Sequence, residues 1–72
     1  MADGEPIGVT VVWQGMRKRL WLSGPGGPRG AEDLKRAMMA LDEEGETADD
    51  WRSFLETAVK VFKAHGFAWI DN

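Results

Sequence analysis

IGVTVVWQGMRKRLWLS, residues 7–23, is the stretch on which the fold turns. Residues 7–13 are rich in β-branched side chains that alternate, which is the pattern of a strand. Residues 19–23 (RLWLS) read as a second strand, with Gly15 in the connection. A two-residue turn at Gly15-Met16, glycine in its first central position, predicts that Val11 faces Leu20 and Val9 faces Leu22. Thr10 then faces Trp21, and Val12 faces Arg19. In this register the aliphatic residues of both strands share one face. A slip of one residue would send Leu20 and Leu22 to the other face.

Downstream, GPGGPRG at residues 24–30 breaks the pattern and reads as a loop. From Ala31 to about Glu44 the apolar residues Leu34, Ala37, Met38 and Leu41 recur at helical spacing, and Gly45 ends the run. Thr47-Ala-Asp-Asp50 resembles a capping box, with Asp50 in place of the usual glutamate. A second helix follows, with Trp51, Phe54, Leu55, Ala58, Phe62 and His65 along one stripe. His65-Gly66 forms its stop, and residues 67–70 (FAWI) a short closing strand. Upstream, residues 1–6 read as a disordered tail and residues 7–72 as a single α+β domain. The expected fold is ββααβ: a three-stranded sheet with two antiparallel helices packed on one face. The position of the third strand in the sheet is left open.

Seventy-two residues make one domain near the lower size limit for a self-sufficient core. Hydrophobic content of 43% and charged content of 29% are globular values. Four tryptophans and three phenylalanines supply the large apolar area that such a core needs. With no cysteine there is neither a disulfide framework nor a thiol nucleophile, and the cytoplasm is the expected compartment. If the chain is phage-encoded, that is the cytoplasm of the bacterial host. No apolar run has the length of a membrane span, and the acidic first residues are unlike a signal peptide. A monomer or a homodimer is expected.

Enzyme chemistry finds little to work with. His65 is the only histidine and stands where helices commonly end in a basic residue. Ser23 and Ser53 have no identifiable activating base near them in sequence. The glycine-rich loop lacks the Gly-Lys-Ser/Thr ending of a phosphate loop and contains two prolines. The expectation is a non-enzymatic protein without cofactor or metal.

Charge is more informative. Asp42, Glu43, Glu44, Glu46, Asp49 and Asp50 place six carboxylates within nine residues. Their spacing is not that of a calcium loop. A solvated turn between helices accounts for them without function. However, Asp42, Glu43 and Glu44 crowd the negative end of the first helix and oppose its dipole. A local rule broken without structural gain often marks a functional site, and such a patch could dock on a basic groove. The opposite pole is Arg17-Lys18-Arg19 at the hairpin tip, followed by Trp21; basic residues beside an aromatic can grip phosphate and stack a base. A third candidate is the far side of the sheet, where Thr10, Val12, Arg19 and Trp21 would point away from the helices, joined by Ala68 and Ile70. It either stays open as an interface or is covered by the N-terminal tail.

In its small size, acidity, tryptophan content and lack of cysteine, the chain resembles small phage-borne inhibitors of bacterial defence, anti-CRISPR proteins above all. The six carboxylates carry that likeness. It implies a stoichiometric inhibitor whose acidic surface occupies a basic groove of a Cas subunit, by nucleic-acid mimicry. Two other readings stay open. One is a small nucleic-acid-binding or regulatory module led by Arg17, Lys18, Arg19 and Trp21. The other is a phage assembly subunit that oligomerises through the open sheet face.

Overall fold

The computed structural model describes residues 6–70, so the tail expected at 1–6 lies, but for Pro6, outside the described residues. Strand β1 runs Ile7–Trp13 and β2 runs Met16–Ser23. Helix α1 spans Gly27–Glu44, a 3₁₀ turn occupies Gly45–Thr47, and α2 spans Trp51–Ala64. Strand β3 is Ala68–Trp69. The order is ββααβ, and β2 lies at the centre of an antiparallel sheet between β1 and β3. This is the α+β architecture expected from the sequence.

One face of the sheet carries the core. Val9, Val11, Leu20 and Leu22 are buried there, packed with Ala37 and Leu41 of α1 and with Phe54, Ala58, Val61 and Phe62 of α2. Phe67, just before β3, is buried among them. Among the described residues no polar or charged side chain is buried. At one end of the core Trp13, Trp51 and Phe54 pack edge to face and offset, with ring centroids 5.5–6.0 Å apart. These rings tie the end of β1 to the start of α2.

The hairpin register differs from the expected one by two residues. Val9 pairs with Leu20, Ile7 with Leu22, Val11 with Lys18 and Gly8 with Trp21. The turn is Gln14-Gly15, not Gly15-Met16, and β2 begins at Met16 rather than Arg19. Both turn residues have positive φ, +50° at Gln14 and +78° at Gly15, the geometry of a turn whose twist matches that of its strands. A two-residue shift keeps every side chain on its own face, so the buried set is unchanged while the partners change.

Three other boundaries move. Helix α1 starts four residues before the expected Ala31, inside the segment read as loop. Pro28 sits in its first turn, where a proline's missing N–H costs nothing. The N-cap of α2 is Asp50 itself, whose side chain accepts from the Ser53 N–H at 2.9 Å. Thr47, expected as the cap, instead directs its hydroxyl to the Glu44 carbonyl at 3.4 Å. Strand β3 is two residues long, although the Ile70 N–H still reaches the Trp21 carbonyl at 2.8 Å. His65 closes α2 as expected, with Nδ1 2.9 Å from the Val61 carbonyl oxygen, and Gly66 follows at φ +90°.

The turn generates a prediction. Gln14 occupies a left-handed conformation that Asn adopts more readily. Gln14→Asn is expected to stabilise the domain by about 0.5–1 kcal/mol and Gly15→Ala to destabilise it by a similar or larger amount. Urea unfolding of the two variants against the parent checks both signs.

Candidate functional site

Antiparallel geometry sets where the charges fall. Alternate residues of β2 face opposite sides, so Arg17, Arg19 and Trp21 share the outer face, opposite Val12, Thr10 and Gly8 of β1. The Arg19 guanidinium carbon lies 5.8 Å from the Trp21 ring centroid, a cation–π contact. The Trp21 ring lies across Gly8, and a Cβ at position 8 would stand 3.0 Å from it. Trp21 remains 40% exposed, so the outer face carries an open aromatic surface. Lys18 pairs with Val11 and therefore lies on the helix side, bordering a recess with Met16, Arg17, Trp51 and Leu55. The pleat thus puts Arg17 and Arg19 on the sheet face of Trp21 and Lys18 on the other, and Arg19 is the one that lies over the Trp21 ring. Ala68, across from Ser23, falls on the outer face as expected, whereas Trp69, across from Leu22, leans toward α2 but stays 37% exposed.

All six carboxylates are exposed. Asp42, Glu43 and Glu44 form the last turn of α1, which contains no basic residue. Its first turn contains no acidic residue but does contain Arg29, so both helix ends carry charge of the sign the dipole disfavours. Successive helical residues diverge by roughly 100°, and the acids therefore do not form one flat patch. Asp42 and Glu46 border a groove between α1 and β1, together with Lys35, Met38, Met39, Val12 and Trp13. Glu43 and Glu44 lie outside that groove, as does Asp49. Asp50 is committed to capping α2. The Ser53 backbone N–H that it accepts holds its carboxyl below the usual carboxylate range. Among the described residues, no group of three or more His, Asp or Glu side chains is placed to hold a metal ion.

The two charge poles are not at opposite ends of the molecule. Trp13 beside Trp51, and Gln14 in one groove with Asp42 and Glu46, bring the hairpin tip to the same end as the helix–helix corner. The Trp13, Trp51 and Phe54 rings pack together at that same end. Element lengths and directions decide this: β1 and α1 both run toward that end, and α2 begins there. The groove residues Lys35 and Met39 were not singled out from the sequence, whereas Val12, expected on the far side of the sheet, borders the same groove. A signal for Met39 exists, since it is an apolar residue outside the helical stripe of Leu34, Ala37, Met38 and Leu41, and it is 64% exposed.

Among the described residues no helix is long and apolar enough to cross a membrane. In comparison with known protein families, curated proteins and solved structures, the chain matches none.

The Asp50 cap has a pH signature. Because its carboxyl titrates lower in the folded chain than in the unfolded one, its contribution is complete above the ordinary carboxylate range. That contribution is lost as pH falls through the lowered folded value. Asp50→Asn keeps a side-chain oxygen for the cap. It is expected to flatten the acid limb of stability against pH, and Asp50→Ala to lower stability at neutral pH as well. Thermal melts from pH 2 to pH 7 separate the three proteins.

Proposed function

We propose that this chain is a non-enzymatic protein-binding domain whose acidic helix–helix corner engages a basic surface on its partner. The observation that carries the reading is the last turn of α1: three exposed carboxylates against the negative end of the dipole, with no cation in the turn to offset them. Fixed anions held on a rigid helix end suit a groove of Arg and Lys, which they steer toward and register against. The resemblance to anti-CRISPR proteins makes the partner a Cas subunit and the surface its nucleic-acid groove. On that reading the domain inhibits by occupying the place of the nucleic acid. The residues assigned to the contact are Glu43, Glu44 and Asp49, with Asp42 and Glu46 at its groove side.

Glu43→Lys with Glu44→Lys tests this through two readouts of opposite sign. Relief of the dipole mismatch is expected to stabilise the domain by about 0.3–1 kcal/mol per site at low salt. The same change is expected to weaken binding to a sensitive guide-loaded Cas effector at least about tenfold and to flatten its salt dependence. Target cleavage by a panel of such effectors, titrated with parent and variant, supplies the measurement. A more stable variant that inhibits as well as its parent removes the acidic corner from the mechanism.

Direct nucleic-acid binding is the second reading, favoured by the row of Arg17, Arg19 and Trp21 on one sheet face. The carboxylates at the same end repel phosphate, which is the physical reason to rank it second. On this reading a mixed DNA and RNA gel-shift at low salt shows retardation that Arg17→Glu with Arg19→Glu abolishes. The protein-binding reading expects no shift from the parent.

A further inference from the structure

The seven residues of β1 carry no charge and no proline, yet β1 is an edge strand. In a two-residue hairpin the closing pair is hydrogen-bonded, and bonded and non-bonded pairs then alternate. Trp13, Val11, Val9 and Ile7 therefore turn their N–H and C=O groups toward β2, whereas Gly8, Thr10 and Val12 turn theirs to the edge that no other described strand occupies. All three are exposed. Edge strands in monomers are ordinarily blunted by charge, proline, a bulge or brevity. The other edge, β3, is two residues long, while β1 has a full seven. Every basic residue of the hairpin lies on β2 and none on β1.

The helix beneath that edge is built to match. Along the α1 flank that borders the β1 groove stand Lys35, then Met38 and Met39, then Asp42. Lys35 and Asp42 are equally spaced about the midpoint of the two methionines. Met39 is 64% exposed and Val12 55% exposed, so an apolar side chain stands open on both layers of the same edge. A two-fold axis through such a flank sets Met39 near its own copy and Lys35 opposite Asp42 on each side, which is self-complementary.

We infer that β1 pairs antiparallel with β1 of a second copy, making a homodimer with one continuous six-stranded sheet and adjacent antiparallel α1 helices. The groove places Thr10 to Gln14 level with Lys35 to Glu46, so the axis falls close to Val11, with Thr10 of each copy exchanging hydrogen bonds with Val12 of the other. Glu46, beyond the helix end, falls level with Ala31 of the second copy, in a shallow recess bordered by Arg29, Glu32 and Lys35. The pairing sets the acidic end of each α1 beside the half of the other that carries Arg29, Lys35 and Arg36 against Glu32 and Asp33, a half with one more basic than acidic residue. The pairing takes up Asp42 and Glu46, the groove-side members of the proposed partner contact, and leaves Glu43 and Glu44 outside the dimer seam.

Sedimentation equilibrium of the full chain tests the dimer, with charge variants that leave the β1–β2 ladder untouched. Lys35→Glu alone and Asp42→Lys alone each place like charges across the axis twice, and each is expected to weaken self-association about tenfold. Mixing the two variants pairs opposite charges again and is expected to restore a heterodimer of parental affinity, which a folding defect could not do. Amide exchange at Thr10 and Val12 slows with protein concentration, whereas exchange along β2 does not. A parent that stays monomeric to about 1 mM overturns the inference. So does a dimer insensitive to both reversals, or one abolished by Trp21→Ser, which would assign assembly to the open sheet face instead.

Discussion

Packing of one sheet face against two helices is the constraint from which the rest of this structure follows. Leu20 and Leu22 on the central strand are almost fully withdrawn from water, and Phe62 and Phe67 close over them. A chain of this length has apolar area for only one such layer. Every polar side chain must then find the surface, and among the described residues none is buried. The fold offers surface in four kinds: an outer sheet face, a strand edge that no other described strand covers, a groove beside it, and a charged corner between helices.

How much of this could be read beforehand depended on parity more than on register. Alternation along residues 7–13 and 19–23 assigns sides, and Val9, Val11, Leu20 and Leu22 are buried as that alternation requires. Alternation is blind to a shift by two, and a glycine beside a non-glycine residue at positive φ concealed which pair formed the turn. Two misplaced boundaries share a cause: local polarity outweighed cap geometry. Pro28 and its neighbouring glycines look like loop, yet proline suits a first helical turn. Thr47 looks like a cap, yet Asp50 is three residues before a free N–H and bonds it.

The site was readable as composition and unreadable as arrangement. Six carboxylates in nine residues are visible in any listing of the chain, and all are exposed. Their separation from the basic residues was an inference from distance along the chain, and it failed because α1 runs alongside β1 and brings the corner back to the hairpin tip. Sequence distance and spatial distance part company in a two-layer fold whose helix and strand run side by side. The split of Arg17 and Arg19 from Lys18 follows from strand pleat and could have been drawn from the same alternation that found the core.

Helix α1 joins these observations into one electrostatic argument. An isolated helix with Arg29 in its first turn and Asp42, Glu43 and Glu44 in its last is mismatched at both ends. Neither end turn of the helix carries a residue that offsets that cost, and each of the two proposed contacts would. An antiparallel neighbour of the same kind compensates both ends together, but only for the acids on the groove flank. Asp42 faces that flank, while the helical rotation turns Glu43 away from it. Under the two proposals together, the acids of one turn divide between two contacts: Asp42 with a second copy, and Glu43 and Glu44 with a basic partner. A dimer so formed carries two such corners related by its axis. A partner with paired basic sites would then meet both at once, and the second contact would form at the high effective concentration set by the first.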